Sequence, residues 1–343
     1  MDVIGGGNPV RILQIGKFYD PVKGGMETAL RELSEGLAES GHEVTVAVSS
    51  QNWRFSEEKP LPGLRILRLP TFGAIRGIPL TDWRGIESQS KDGFDIVHAH
   101  LPNPFGLQAL LKSKAHKYVT IHALTVNHPL LSRLYDPRLN LAMEKVDQVI
   151  FTSSDLRRQF VLAGTRLSRP GRVIPLGIKC DWWRALPRVS SDFGGDLLFV
   201  GRLVPYKGLG TVLRALPRVK SRPRLVVVGD GPERSRWANE ARDLGLQDQV
   251  VFAGQLEDEE LHRVYMNCRV VVLPSINEAE AFGLSMVEGL AAGRPLICSD
   301  LPTGVRQVNR QGETGLRVKP GDVEGWAHAI DLILGDPLLY GQM

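Results

Sequence analysis

The stretch 269–300, RVVVLPSINEAEAFGLSMVEGLAAGRPLICSD, reads as one strand–loop–helix–strand unit. Its ends, RVVVLPS and RPLICSD, are short apolar runs of the kind found in strands buried on both faces. Between them FGLSMVEGLAAG has helical spacing, and Gly293 followed by Pro295 supplies a helix stop in the expected order. Two strands joined through a helix run parallel, because such a crossover is too long for a hairpin. One residue does not fit. From Phe282 onward Leu284, Val287, Glu288 and Ala291 fall at i, i+3, i+4 and i+7, a predicted buried stripe with a carboxylate on it. Burying an ionised group is costly without partners, so the stripe either opens onto a polar cleft or meets hydrogen-bond donors there.

The same rhythm extends in both directions. Upstream it runs through VRILQI, METALRELSEGLAESG, EVTVAVSS, DIVHAH, HKYVTIHA and DQVIFTS. Between residues 171 and 196 Pro, Gly and polar residues interrupt both periods, which places a linker there. The alternation restarts with DLLFVGRL and continues through TVLRALPRVK, RLVVVGDG, RSRWANEARDLG, QVVFAG and EDEELHRVYMN into the opening stretch. The fold class is therefore α/β, with two doubly wound domains, 1–180 and 181–343. Open sheets of this type bind ligands at the carboxyl ends of their strands, which predicts a cleft between the two domains.

At 43% hydrophobic and 23% charged, with no long apolar run, the chain reads as a soluble globular protein without a membrane span. MDVIGGGNPV has no signal-peptide pattern, so a cytoplasmic location is expected. Cys180, Cys268 and Cys298 are too scattered for a disulfide framework or a CxxC metal site, and read as packing residues. The net charge of +4 is unevenly spread: residues 1–180 carry +6 and the remainder −2. Arg76, Arg84, Lys91, Lys112, Lys114 and Lys117 form the densest basic run, beside FGLQALL. It is either a solvated face or a surface attracted to an anionic membrane or a phosphorylated acceptor. No nucleic-acid partner is expected.

Two junctions suit anions. In IGKFYDPVKGGMET, Gly24 and Gly25 lead into a helix, where backbone N–H groups can approach a phosphate. The loop lacks G-x-G-x-x-G, so a tight turn and a phosphate cradle both remain open. In LLFVGRLVPYKGLGTVLRAL, Arg202 ends a strand and Lys207 precedes Gly208, a guanidinium and an ammonium placed for a diphosphate or simply exposed on a loop. No Asp-x-Asp occurs, so these cations rather than a metal would neutralise a leaving phosphate. Were residues 278–288 all helical, Glu280 and Glu288 would stand ~12 Å apart along the axis and about 80° apart around it. With Glu280 in the loop instead, both can face a cleft, and the N–H groups of Phe282, Gly283 and Leu284 lie at a helix start.

Glu280-x7-Glu288 enclosing AFG, preceded by VLPS and followed by GLAAGRPLICSD and GETGLRVKPGD, resembles the signature of the retaining glycosyltransferases of family 4, which have the GT-B fold. GGMET, GHEVTV, FDIVHAHLPNP, VGRLVPYKG, VVVGDGPE and VVFAGQLEDEEL resemble the family's other blocks, in its order and over nearly the whole chain. The resemblance implies two Rossmann-like domains facing each other across a cleft, the first on the acceptor side and the second binding a nucleotide-sugar. It implies that Arg202, Lys207, Gly24 and Gly25 hold the donor diphosphate and that Glu288 accepts from the ribose hydroxyls. Glu280 with the backbone of Ala281, Phe282, Gly283 and Leu284 would hold the transferred sugar, and Gln255 would lie near the base.

In YVTIHALTVNH, His122 matches the family histidine that faces the donor sugar and joins Glu280 as a candidate catalytic residue. His98 and His100, alternating on one strand face, read as packing, and His128 is the weaker match. No cofactor or metal is implied; the donor, GDP- or UDP-linked, is a substrate. HLPNPFG and PTGVRQVNRQGETGL look most like bacterial exopolysaccharide and O-antigen enzymes that transfer mannose or related sugars from GDP donors. The expected reaction is metal-independent hexosyl transfer, with retention, to a lipid-linked saccharide or polysaccharide precursor, at or near a membrane surface. An epimerase or phosphorylase of the same architecture and a non-catalytic nucleotide-sugar-binding subunit are the alternatives. Family members continue past the VEGWAHAIDLILGDPLLYGQM region with helices that cross back onto the first domain, and these are expected to be missing here.

Overall fold

The computed structural model describes residues 8–343 except 76–77, 90–92, 105, 125–138, 165–166, 181–182, 184–190 and 192. Arg76 and Lys91 of the basic run, and His128, lie outside the described residues. The chain divides into two compact units, Met1–Leu176 and Gly177–Met343.

In the first unit the strands are β1 (Arg11–Ile15), β2 (Glu43–Ser49), β3 (Ser56–Leu61), β4 (Leu64–Leu69), β5 (Thr71–Ile75), β6 (Ile78–Thr81), β7 (Ile96–Leu101), β8 (His116–Ile121), β9 (Gln148–Phe151) and β10 (Arg172–Val173). Eight of them form one sheet in the order β10-β9-β8-β7-β1-β2-β4-β3, and β5 and β6 pair as a separate antiparallel hairpin. The large sheet is parallel except for β3, which runs antiparallel to β4 at the edge. SEEKPL has neither apolar alternation nor a buried residue, and its charges and proline suit an edge strand that must not pair further.

Leu13, Ile15, Val97, Ala99, Val119 and Ile121 point to one side of this sheet, into a core closed by Leu107, Leu110, Met143, Leu156 and Phe160. On the other side Val44, Val46 and Val48 pack with Leu30 and Ala38 of the helix Gly25–Glu39. Gln14 is in register with Val46 and with His98, so it shares that second face.

The second unit has β11 (Leu197–Val200), β12 (Leu225–Val228), β13 (Val250–Gly254), β14 (Val270–Leu273), β15 (Leu296–Ser299) and β16 (Gly315–Val318). All are parallel, in the order β13-β12-β11-β14-β15-β16. The strand order reverses beside β11, so the loops after β11 and β14 emerge next to each other, as ligand-binding loops do in doubly wound sheets.

The helix after β14 spans Leu284–Ala291, and its packing corrects the predicted stripe. Met286 and Gly289 are its buried residues, whereas Leu284, Val287, Glu288 and Ala291 are all half-buried. A Cβ on Gly289 would meet Val271 Cγ2 at 2.8 Å. The helix thus lays its smallest side chain on β14, which turns Glu288 to the margin of the contact.

Cys268 and Cys298 are buried, with burial pushing both thiols up to about 12, but Cys180 is exposed, contrary to its reading as a packing residue. Among the described residues no helix is long and apolar enough to cross a membrane.

Candidate functional site

In the second unit two loops are pinned together before any ligand is considered. Pro205–Lys207 forms a single 3-10 turn ended by Gly208 at φ 64, a left-handed conformation that favours glycine. A Cβ there would collide with the carbonyl of Pro274, so only glycine lets the loop after β11 press on the loop after β14. Ile276 N donates to Tyr206 O at 2.8 Å and fastens the contact.

This junction brings two predicted site residues together. Lys207 Nζ donates to Glu280 Oε2 at 2.6 Å, and Ser275 Oγ donates to the same oxygen at 2.7 Å. Glu280 is only 6% exposed, so its charge is compensated inside the protein. Burial works against the Lys207 ammonium, but the Glu280 charge, Tyr206 and the hydrogen bond outweigh it, and its pKa rises above the ordinary lysine value. Arg202 lies exposed just beyond the end of β11; its carbonyl accepts from Val204 N at 2.9 Å, while its guanidinium makes no hydrogen bond or ion pair among the described residues.

Glu288 meets the donor its half-buried position requires. The hydroxyl of Tyr265, from the helix Asp258–Asn267, lies 2.6 Å from Glu288 Oε2 and 3.0 Å from Ser285 O. Burial first, and then the neighbouring carboxylate, raise the tyrosine pKa well above its ordinary value, so it remains a hydrogen-bond donor. Trp183 packs its ring against Tyr265 and His262, at 5.2 and 5.1 Å between centroids. Ala281 O accepts from Gly304 N at 2.9 Å, Phe282 is buried, and Gly283 caps the helix start, which lies one to two residues later than its sequence predicts. Gln255 is exposed just beyond β13, at the sheet margin, two strands from β11.

In the first unit Gly24 precedes the helix Gly25–Glu39. A Cβ on it would strike the carboxylate of Glu27, whose side chain folds back over the helix start. That position already has an anion beside it, as the helix dipole favours.

His122 continues the β8 ladder, its N donating to Leu101 O at 3.0 Å. It belongs to a polar patch on the sheet face that carries Gln14. His100 Nδ1 lies 2.8 Å from His122 Nε2, His100 Nε2 lies 2.9 Å from Gln14 Oε1, and His98 Nε2 lies 2.8 Å from Thr120 Oγ1. All three rings are buried and neutral. Burial lowers His98 to about 4 and, with the nearby His98, His122 to about 3, while His100 falls well below the usual range for the same reasons.

His98 and His100 do pack on one strand face, but through polar partners rather than apolar ones. Sequence reasoning missed Ser275, Tyr265 and Gln14. Ser275 ends the strand word VLPS, and Tyr265 and Gln14 sit at apolar-stripe positions where a polar tip is the only signal.

A family model described as Glycosyltransferase Family 4 matches residues 23–182, and one described as Glycosyl transferases group 1 matches 194–343. The O-antigen chain mannosyltransferase C of Escherichia coli is 31% identical over 340 residues, covering 94% of this chain and 88% of its own. The sucrose-phosphate synthase structure from Thermosynechococcus elongatus superposes with a TM-score of 0.78 at 23% identity, over 97% of this chain and 92% of that one. Anabaena Alr3699/HepE in complex with UDP-glucose gives a TM-score of 0.75 at 17% identity, over 97% and 92% of the two chains. The two models together span most of the chain and the Escherichia coli relative is 31% identical over nearly all of it, so the chain belongs to the family 4 glycosyltransferases, with their GT-B fold of two Rossmann-like domains.

Proposed function

We propose that the protein transfers a mannose-type hexose from a GDP- or UDP-linked donor to a hydroxyl of a lipid-linked saccharide or polysaccharide precursor, retaining the anomeric configuration. The observation that carries this reading is the Lys207–Glu280–Ser275 cluster beside the exposed Arg202, at the strand reversal of the second unit. A diphosphate arriving there meets the Arg202 guanidinium directly. It can also draw on the Lys207 ammonium, which Glu280 and Ser275 hold in place. Negative charge develops on the departing diphosphate as the glycosidic bond stretches, and preorganised cations lower the barrier by stabilising it. These cations take the part a metal would otherwise play. Glu280, with the backbone of residues 281–284, orients the sugar, and Glu288, steadied by Tyr265, receives the ribose hydroxyls. Gln255 contacts the base. The mannose preference is supported by the Escherichia coli relative, and a nucleotide-sugar donor by the UDP-glucose complex. The basic first half, +6 over residues 1–180, would favour acceptors held at an anionic surface.

The test is nucleotide release by purified protein given GDP-mannose or UDP-glucose with lipid-diphosphate saccharide acceptors. Turnover should persist in EDTA, fall about 100-fold or more in Glu280→Ala, on the scale of losing one transition-state contact, and yield a product with the donor's anomeric configuration. Release no faster than that of the variant for every donor and acceptor would refute the reading.

A further inference from the structure

The helix Asp258–Asn267 turns His262 and Tyr265, three residues apart, to one side, where both rings meet Trp183. Tyr265 meets it nearly edge-on, at 79° between planes, and His262 at 44°. All three residues are buried. Trp183 is held in its turn, because its carbonyl, an acceptor only, lies 3.1 Å from His262 Nε2, which therefore carries that ring's proton. Further along the chain Ser191 Oγ donates to Glu260 Oε1 at 2.6 Å and fastens the same stretch to the same helix. Trp183 and Ser191 belong to the opening residues of the second unit, which begins at Gly177. The stack decides where one proton goes. The Tyr265 hydroxyl has two acceptors within reach, Glu288 Oε2 at 2.6 Å and Ser285 O at 3.0 Å, both on the helix Leu284–Ala291. The phenol oxygen lies on the axis of its ring, so spinning the ring leaves it in place, and only a tilt of the whole side chain carries it from one acceptor toward the other. The edge contact with Trp183 opposes that tilt. Packing thus keeps the proton on the charged acceptor, the stronger of the two.

We propose that Trp183, fixed by His262, is a positioning residue for nucleotide binding: it holds the Tyr265 hydroxyl on Glu288 instead of the Ser285 carbonyl, and so keeps the carboxylate oriented for ribose hydroxyls. The inference rests on the reading that Glu288 receives the ribose. It makes discrimination of ribose depend on a residue one side chain removed from the carboxylate. Every contact in the relay lies within the second unit.

The test is calorimetric binding of GDP or UDP, whichever is held more tightly, against its dideoxyribonucleoside form, which lacks both ribose hydroxyls. The unaltered protein should prefer the ribonucleotide about tenfold, the scale of a hydrogen bond to a charged group. Trp183→Met fills the space with a flexible side chain but removes the aromatic edge. It should cut the preference to about twofold by weakening the ribonucleotide, and Trp183→Phe, which keeps an edge, should restore most of it. A change that merely loosened the fold would weaken both nucleotides alike, and a ratio left at its original value overturns the inference. Should Trp183→Met not fold by circular dichroism, His262→Phe decides. It keeps the stacked rings but frees the Trp183 carbonyl, so a full ribose preference there overturns the inference. Glu288→Ala separates the two readings. Preference lost in Glu288→Ala but kept in Trp183→Met removes the role of Trp183 alone. No binding or no preference in the unaltered protein, or a preference that survives Glu288→Ala, refutes the ribose reading and the inference with it.

Discussion

At the scale of single residues, the unexpected feature is that Glu288 and Glu280 are each served by a neighbour that prediction passed over. Tyr265 donates to Glu288 at 2.6 Å and Ser275 to Glu280 at 2.7 Å. A carboxylate with one oxygen held by a buried tyrosine has a fixed orientation, and a ligand need not supply the entropy of fixing it. Tyr265→Phe should therefore weaken nucleotide binding by about tenfold, equivalent to ~1.4 kcal/mol, while costing about 1 kcal/mol of stability for the lost hydrogen bond. Calorimetric titration with the nucleoside diphosphate, alongside urea unfolding, separates the two effects. An unchanged dissociation constant would mean that Tyr265 serves the fold alone. Glu288→Gln, which keeps the shape but loses the charge, should likewise weaken binding more than it harms folding.

Secondary-structure elements show what was legible and what was not. The strands LLFV, LVVV, VVVL and LICS are nearly all buried, and their uninterrupted apolar runs announced a parallel sheet. β3 was illegible, because an exposed edge strand made of charges and proline has no apolar period to read. The helix Leu284–Ala291 was found by its spacing, but its buried face was misjudged by about one position. Side-chain hydrophobicity favours Leu284 and Val287, whereas the closest packing on β14 goes to the residue with no side chain, Gly289. The Glu280–Lys207 pair joins residues 73 positions apart through a loop contact, which no local pattern encodes. Gly289→Val tests the packing argument. The added carbons would overlap Val271 and Leu296, so the helix must lift, at a cost of about 1–3 kcal/mol typical of overpacking. A urea midpoint equal to that of the unaltered protein would show that the helix has room to spare.

On the scale of the whole molecule, charge decides two behaviours. The buried His98, His100 and His122 have pKa values below the ordinary 6.5, with His98 at about 4 and His122 at about 3. Below pH 6.5 the unfolded chain takes up protons that the folded histidines refuse, so stability falls as pH drops toward 4 and is regained as pH rises. The slope has an upper limit of roughly 1.4 kcal/mol per pH unit for each histidine. Urea unfolding at pH 7.0, 6.0 and 5.0 should show that decline, and a flat profile down to pH 5.5 would contradict neutral burial. The second behaviour concerns capture from a distance. Residues 181–343 carry a net charge of −2, so that half as a whole does not attract an anionic donor. Lys207 is matched by Glu280 and presents almost no field to the surroundings, which leaves Arg202 as the cation of this loop that solution ions can screen. Raising ionic strength from 0.01 to 0.15 M shortens the Debye length from about 30 to about 8 Å. The association rate of the nucleotide should then drop only as far as one exposed guanidinium allows, and Arg202→Gln should remove most of that salt dependence. The buried pair makes Lys207 a cation felt only on contact, so that on the proposed function the loop would recognise a diphosphate by touch rather than by attraction through solvent.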